Sequence, residues 1–194
     1  MPPPDADDLA ERLDRSGHYR LFGLPDSRRR LDELWAEPDA PERLSRLAAD
    51  DGASWRARFL ASEVIFRKQM FLILHRPELF ASLARVYAKA LAENASGFMS
   101  DWGFKSSMDD AGRLGSRFAV FGSDADDALR PLLEEAGEVT YAYPPEVPFR
   151  LRRGFRVKDF AALYLGTIHG ISLRFTEDPA QRDDEIRRLK QLLP

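Results

Sequence analysis

Residues 149–156 read Phe149-Arg150-Leu151-Arg152-Arg153-Gly154-Phe155-Arg156, and Lys158 follows. Arginines interleaved with aromatic and aliphatic side chains make a local cationic patch in a chain whose net charge is −3. Guanidinium groups donate paired hydrogen bonds to carboxylates and phosphates, and they stack on aromatic faces. The pattern therefore suits an acidic protein surface, a phosphate group or single-stranded nucleic acid. Tyr141 and Tyr143 alternate just upstream, inside a proline-interrupted stretch from Glu138 to Gly154 that predicts an extended or hairpin insert. The plainer alternative is a solvated loop whose aromatics tuck onto the core and whose arginines pair with Glu134, Glu135 or Glu138. Tyr141, Tyr143, Phe149, Arg150, Arg152, Arg153 and Arg156 are the candidate partner-binding residues of this segment. A second candidate surface is the stretch Gly97–Lys105, where Phe98, Met99, Trp102 and Phe104 are many large apolar groups for a loop. Aromatics and methionine are enriched at interface cores, so Phe98 and Trp102 join the candidates; the alternative is that they cover an end of the helical stack.

Other chemistry is sparse. The chain has no cysteine, which removes disulfides, thiolate metal sites and cysteine nucleophiles and fits a reducing, cytoplasmic setting. The three histidines, His18, His75 and His169, have no i,i+4 partner, and there is no glycine-rich phosphate loop or nucleophile elbow. His169 sits at a predicted helix C-terminus, where the helix dipole gives it a structural role. Carboxylate pairs such as Asp126-Asp127 and Asp183-Asp184 read as solvated capping groups. Glu63 lies in a mostly apolar stretch near Arg58 and Arg67, which predicts a buried ion pair with one of them. No catalytic, cofactor-binding or metal-ligating residue is expected, and no cofactor.

The elements that must position these residues are helical. With 194 residues, 44% hydrophobic and 31% charged, the chain can bury a substantial core and solvate its outer faces. The acidic N-terminus is not a secretory signal, and no apolar run is long enough to span a membrane. Apolar spacing predicts helices over 7–16, 26–36, 41–51, 55–74, 77–93, 111–121, 123–136, 155–169 and 179–194. Ser54 and Asp178 are the clearest N-caps, Pro131 predicts a kink, and Gly170 closes the 155–169 helix. Small residues at Ala161 and Ala162 predict a helix pressed close against a neighbour.

Three segments can be superposed by pattern: Val157–Ile168, Ala111–Leu133 and, more weakly, Ala57–Ile65. The phrases Phe121-Gly122-x-x-Ala125-x-x-Ala128-Leu129-x-Pro131-Leu132-Leu133 and Val157-Lys158-x-x-Ala161-Ala162-x-x-Leu165-Gly166 resemble HEAT repeats, especially the short bacterial kind. The match covers about a fifth of the chain; the 138–154 insert departs from the pattern and the first ~50 residues do not show it. The resemblance implies an all-α, HEAT-like α-solenoid of about eight or nine helices, in one domain over 1–194. In that reading 1–6 is a frayed tail, 7–52 a cap or degenerate repeats, and 53–194 helical hairpins carrying the insert. It further implies a non-enzymatic module of the adaptor, regulator or toxin-immunity type, whose partner is another protein. The alternative is an enzyme or nucleic-acid-binding protein on the same scaffold, like the HEAT-like DNA glycosylases or bilin lyases. The net charge of −3 disfavours nucleic acid.

Overall fold

The computed structural model describes residues 6–96, 99–104, 107–139 and 154–194. These residues form an all-α fold of helices and turns; among them the only β pairing is one antiparallel bridge between Glu138 and Arg156. No described helix is long and apolar enough to cross a membrane. The chain forms two compact units, Met1–Ala90 and Leu91–Pro194.

In the first unit, α1 (Ala6–His18) runs into a π-helical turn (Tyr19–Gly23), followed by α2 (Ser27–Trp35), α3 (Ala40–Ala49), α4 (Trp55–Lys68), α5 (Phe71–Leu74) and, after a 3-10 turn at Pro77–Leu79, α6 (Phe80–Ala92). Helix α4 is apolar around most of its circumference, and every residue from Ala57 to Phe66 is buried. Its N-terminus is capped by Ser54, whose Oγ accepts from the Ala57 N–H at 3.0 Å and donates to Asp14 at 2.7 Å. Two charged residues inside α4 are fully provided for. Arg58 donates to the Ala48 carbonyl at 3.1 Å and to Ser82 Oγ at 2.6 Å, and it pairs with Asp51 at 2.7 Å. The buried Glu63 carboxylate accepts from the Tyr87 hydroxyl at 2.6 Å and from Arg67 Nε at 3.4 Å, so its ion-pair partner is Arg67 rather than Arg58. These bonds offset the cost of desolvating the charge.

The helix expected over 55–74 is broken. It ends at Lys68, Gln69 leaves helical geometry at φ −156° and ψ 71°, and the chain resumes as the single-turn α5. The break turns Ile73 into the core and leaves Met70 and Phe71 projecting, 44% and 58% exposed. Both had the spacing of a buried stripe.

In the second unit, α7 (Met99–Trp102) precedes α8 (Gly112–Phe121), a 3-10 turn (Gly122–Ala125), α9 (Asp126–Leu129), a further 3-10 segment (Arg130–Glu134), α10 (Val157–His169) and α11 (Pro179–Leu192). The single helix expected over 123–136 is thus three short pieces. Pro131 supplies no N–H and its ring crowds the preceding turn, so the chain tightens to 3-10 geometry there. Helix α10 is central, with buried residues from Val157 and from Asp159 to Gly166, and Gly170 closes it in the left-handed conformation, its N–H reaching the Gly166 and Thr167 carbonyls.

Helix α8 crosses α10 at Gly115, which packs against Tyr164 of α10. A Cβ on Gly115 would lie 2.2 Å from the Tyr164 ring. That ring also stacks on Phe118 at 5.0 Å, and its hydroxyl donates to the Trp102 carbonyl. In an open helix, Gly→Ala gains up to ~1 kcal/mol of propensity. Here the sign reverses, because a large aromatic must move: Gly115→Ala is expected to lower stability by about 1–3 kcal/mol in urea denaturation. A stabilised variant would contradict the close packing of α8 on α10.

Candidate protein-binding surface

The base of the 138–156 segment is a short antiparallel clasp. The Val139 N–H donates to the Phe155 carbonyl at 3.1 Å and the Val157 N–H to the Gly137 carbonyl at 3.0 Å. Val139 and Phe155 are both buried, which fixes where the chain leaves the helical body and where it returns. Phe155 stacks on Phe104 at 4.2 Å with an interplanar angle of 13°. Tyr141, Tyr143, Phe149, Arg150, Arg152 and Arg153 fall between residues 139 and 154 in the sequence and, like Phe98, are outside the described residues.

Arg156 is placed, and it does not project as a binding group. It is the N-cap of α10. Its own N–H donates to Asp159 Oδ2 at 2.8 Å, its Nη2 to Asp159 Oδ1 at 2.9 Å, and its Nη1 to Asp183 at 3.1 Å. Its side chain is 14% exposed. The expected pairing with Glu134, Glu135 or Glu138 gives way to Asp159 and Asp183, because the clasp turns the guanidinium over the first turn of α10.

Trp102 is also corrected. It is 0% exposed, as is Phe104, so neither belongs to an exposed surface. The reason lies in the loop backbone. Gly103 takes φ 128° and Gly112 φ 62°, and a Cβ on Gly103 would lie 2.2 Å from the Asp110 carbonyl oxygen. Two glycines at this crossing let the strands of the loop touch and turn both rings inward. Arg113 then pairs with Asp101 at 2.5 Å across the same loop.

The ionic cluster behind the clasp was not anticipated. Asp159 is fully buried and is shared by Arg156 and Arg182, the latter at 3.2 Å. Arg182 is fully buried too, and it donates to the carbonyls of Thr176 at 3.0 Å, Glu177 at 2.9 Å and Gly154 at 3.1 Å. Its guanidinium lies 4.8 Å from the Phe155 ring centroid. The Arg156–Asp159 spacing, opposite charges three residues apart at a helix start, was the readable sign for Asp159. The one local sign for Arg182 is its place four and seven residues ahead of Ile186 and Leu189, on the face of α11 that those two bury.

Elsewhere in this unit His169 Nε2 meets Asp126 at 2.9 Å, and Arg130 pairs with the same carboxylate at 3.1 Å. Those contacts tie the end of α10 to α9, consistent with a structural role. Among the described residues no group of three or more His, Asp or Glu side chains is placed to hold a metal ion.

No family model, curated protein or solved structure matches this chain.

Asp183 gives the cluster a pH signature. Burial pushes its carboxyl up, but hydrogen bonds and charge from Arg156 and Lys158 outweigh that and bring it down to about 2 from 3.8. A carboxyl depressed on folding contributes stability that is complete above its unfolded value and disappears as pH falls through the folded one. Asp183→Asn is therefore expected to cost about 1 kcal/mol at neutral pH, discounted for solvent screening, with the gap to wild type closing between about pH 4 and pH 2. Urea melts across that range check it; a gap independent of pH would refute the assignment.

Proposed function

We propose that this chain is a non-enzymatic protein-binding module of the adaptor, regulator or toxin-immunity kind, working in the cytoplasm on a HEAT-like helical scaffold. Its partner is another protein with an acidic surface. The observation that carries this reading is the clasp at 137–139 and 155–157, which anchors both ends of the segment bearing Tyr141, Tyr143, Phe149, Arg150, Arg152 and Arg153. An arginine–aromatic segment held at a fixed base loses less freedom on binding than one on a free tail, so more of its contact energy appears as affinity. Arginine and tyrosine are also the side chains that dominate interface energetics. Arg156, Asp159 and Arg182 act as the mounting, and the contact groups are those between the ends of the clasp.

The test is retention from an extract of the source cells on the immobilised chain. A specific protein should be retained at about 0.1 M salt and released as screening rises toward about 0.5 M. Arg152→Glu with Arg153→Glu should abolish retention while leaving the circular dichroism unchanged. Equal retention by the variant would reject the segment as the contact. Salt-sensitive binding of a single-stranded oligonucleotide, lost in the same variant, would replace the protein partner by nucleic acid.

A further inference from the structure

Helix α11 buries little apolar surface for its length. Of its 14 residues, Arg182, Ile186 and Leu189 are the buried ones. Two aliphatic side chains are a small apolar anchor for an element of this length, set against the backbone freedom lost in ordering it. Exposed pairs such as Lys190–Glu134 and Arg187–Asp184 add little, because solvent screens them. The buried tie is the Arg182–Asp159 pair, with Asp183 bound to Arg156 and Lys158 beside it.

Arg182 also covers something. Its guanidinium lies over Phe155, which stacks on Phe104, and Phe104 in turn meets Phe160 at 4.9 Å and Phe175 at 5.9 Å. Four phenylalanines thus form a continuous aromatic cluster, with Arg182 across one face of it.

We propose that α11 is a releasable strap, latched by the Arg182–Asp159 pair and closing the Phe155 face of this aromatic cluster. A buried ion pair makes a sharp latch: intact, both charges are satisfied, and broken, each is driven toward water. Lifting α11 carries Arg182 off the ring and bares an aromatic face at the root of the 138–156 clasp. The strap opens as its own unit, below the free energy of unfolding the whole domain. This inference stands apart from the identity of any partner.

Hydrogen–deuterium exchange on the full chain at neutral pH tests it. Amides of 179–192 are expected to exchange at least about tenfold faster than those of α8 and α10. Asp159→Asn removes the latch charge while keeping an oxygen to accept the Arg156 N–H. It is expected to speed α11 by about a hundredfold, keep α11 the fastest-exchanging of these helices and raise the fluorescence of the apolar probe bis-ANS. Exchange of α11 in step with α10 in the wild type would overturn the proposal, and so would α11 rates in the variant no faster than in the wild type. Should Asp159→Asn fail to fold, the wild-type rates decide the matter by themselves.

Discussion

A single carboxylate, that of Asp159, organises the second unit. It is buried at the first turn of α10, and it accepts from Arg156 on one side and faces Arg182 on the other. Through Arg156 it fixes the returning side of the 138–156 clasp. Through Arg182 it fixes Gly154, the Thr176–Glu177 turn and the start of α11. Such a carboxylate is stable in the interior only while its donors stay in place, because an unpaired buried charge costs several kcal/mol. The clasp, the cap of α10 and the seat of α11 therefore depend on one another.

The first unit solves a similar problem with a different donor set. Glu63 lies on a helix that is buried all round, and Tyr87 and Arg67 satisfy it from α6 and from its own helix. Arg67 in turn lies 3.6 Å from the Phe22 ring centroid, so the ion pair is roofed by the π-helical turn. Each unit thus places an acid on its central helix and surrounds it with arginine and aromatic groups. Polar groups satisfied in this way specify one packing register more sharply than an all-apolar core of the same volume.

Much of the scaffold was legible in the residues. The caps at Ser54 and Asp178 and the stop at Gly170 each follow from local chemistry, and each is where the sequence places it. The pieces that were not legible depend on distant partners. The break at Gln69 has no glycine or proline to announce it and answers to the burial of Ile73. Trp102 looks like a loop aromatic until Gly103 and Gly112 are seen to fold the loop upon itself. Arg156 reads as part of a basic patch, yet its partners are an acid one turn ahead and another on α11, and only the latter is out of reach of pattern reading. Arg182 shares a helix face with Ile186 and Leu189, but that spacing alone does not reveal its buried acid, Asp159.

The dependence of clasp, cap and helix seat on Asp159 is tested most directly by a double-mutant cycle on Asp159→Asn and Arg182→Met, read by urea denaturation. Each single change is expected to cost about 3 kcal/mol by stranding the other charge, and the double change little more than either, a coupling of about 2 kcal/mol or greater. Costs that simply add, with coupling near zero, would contradict the account.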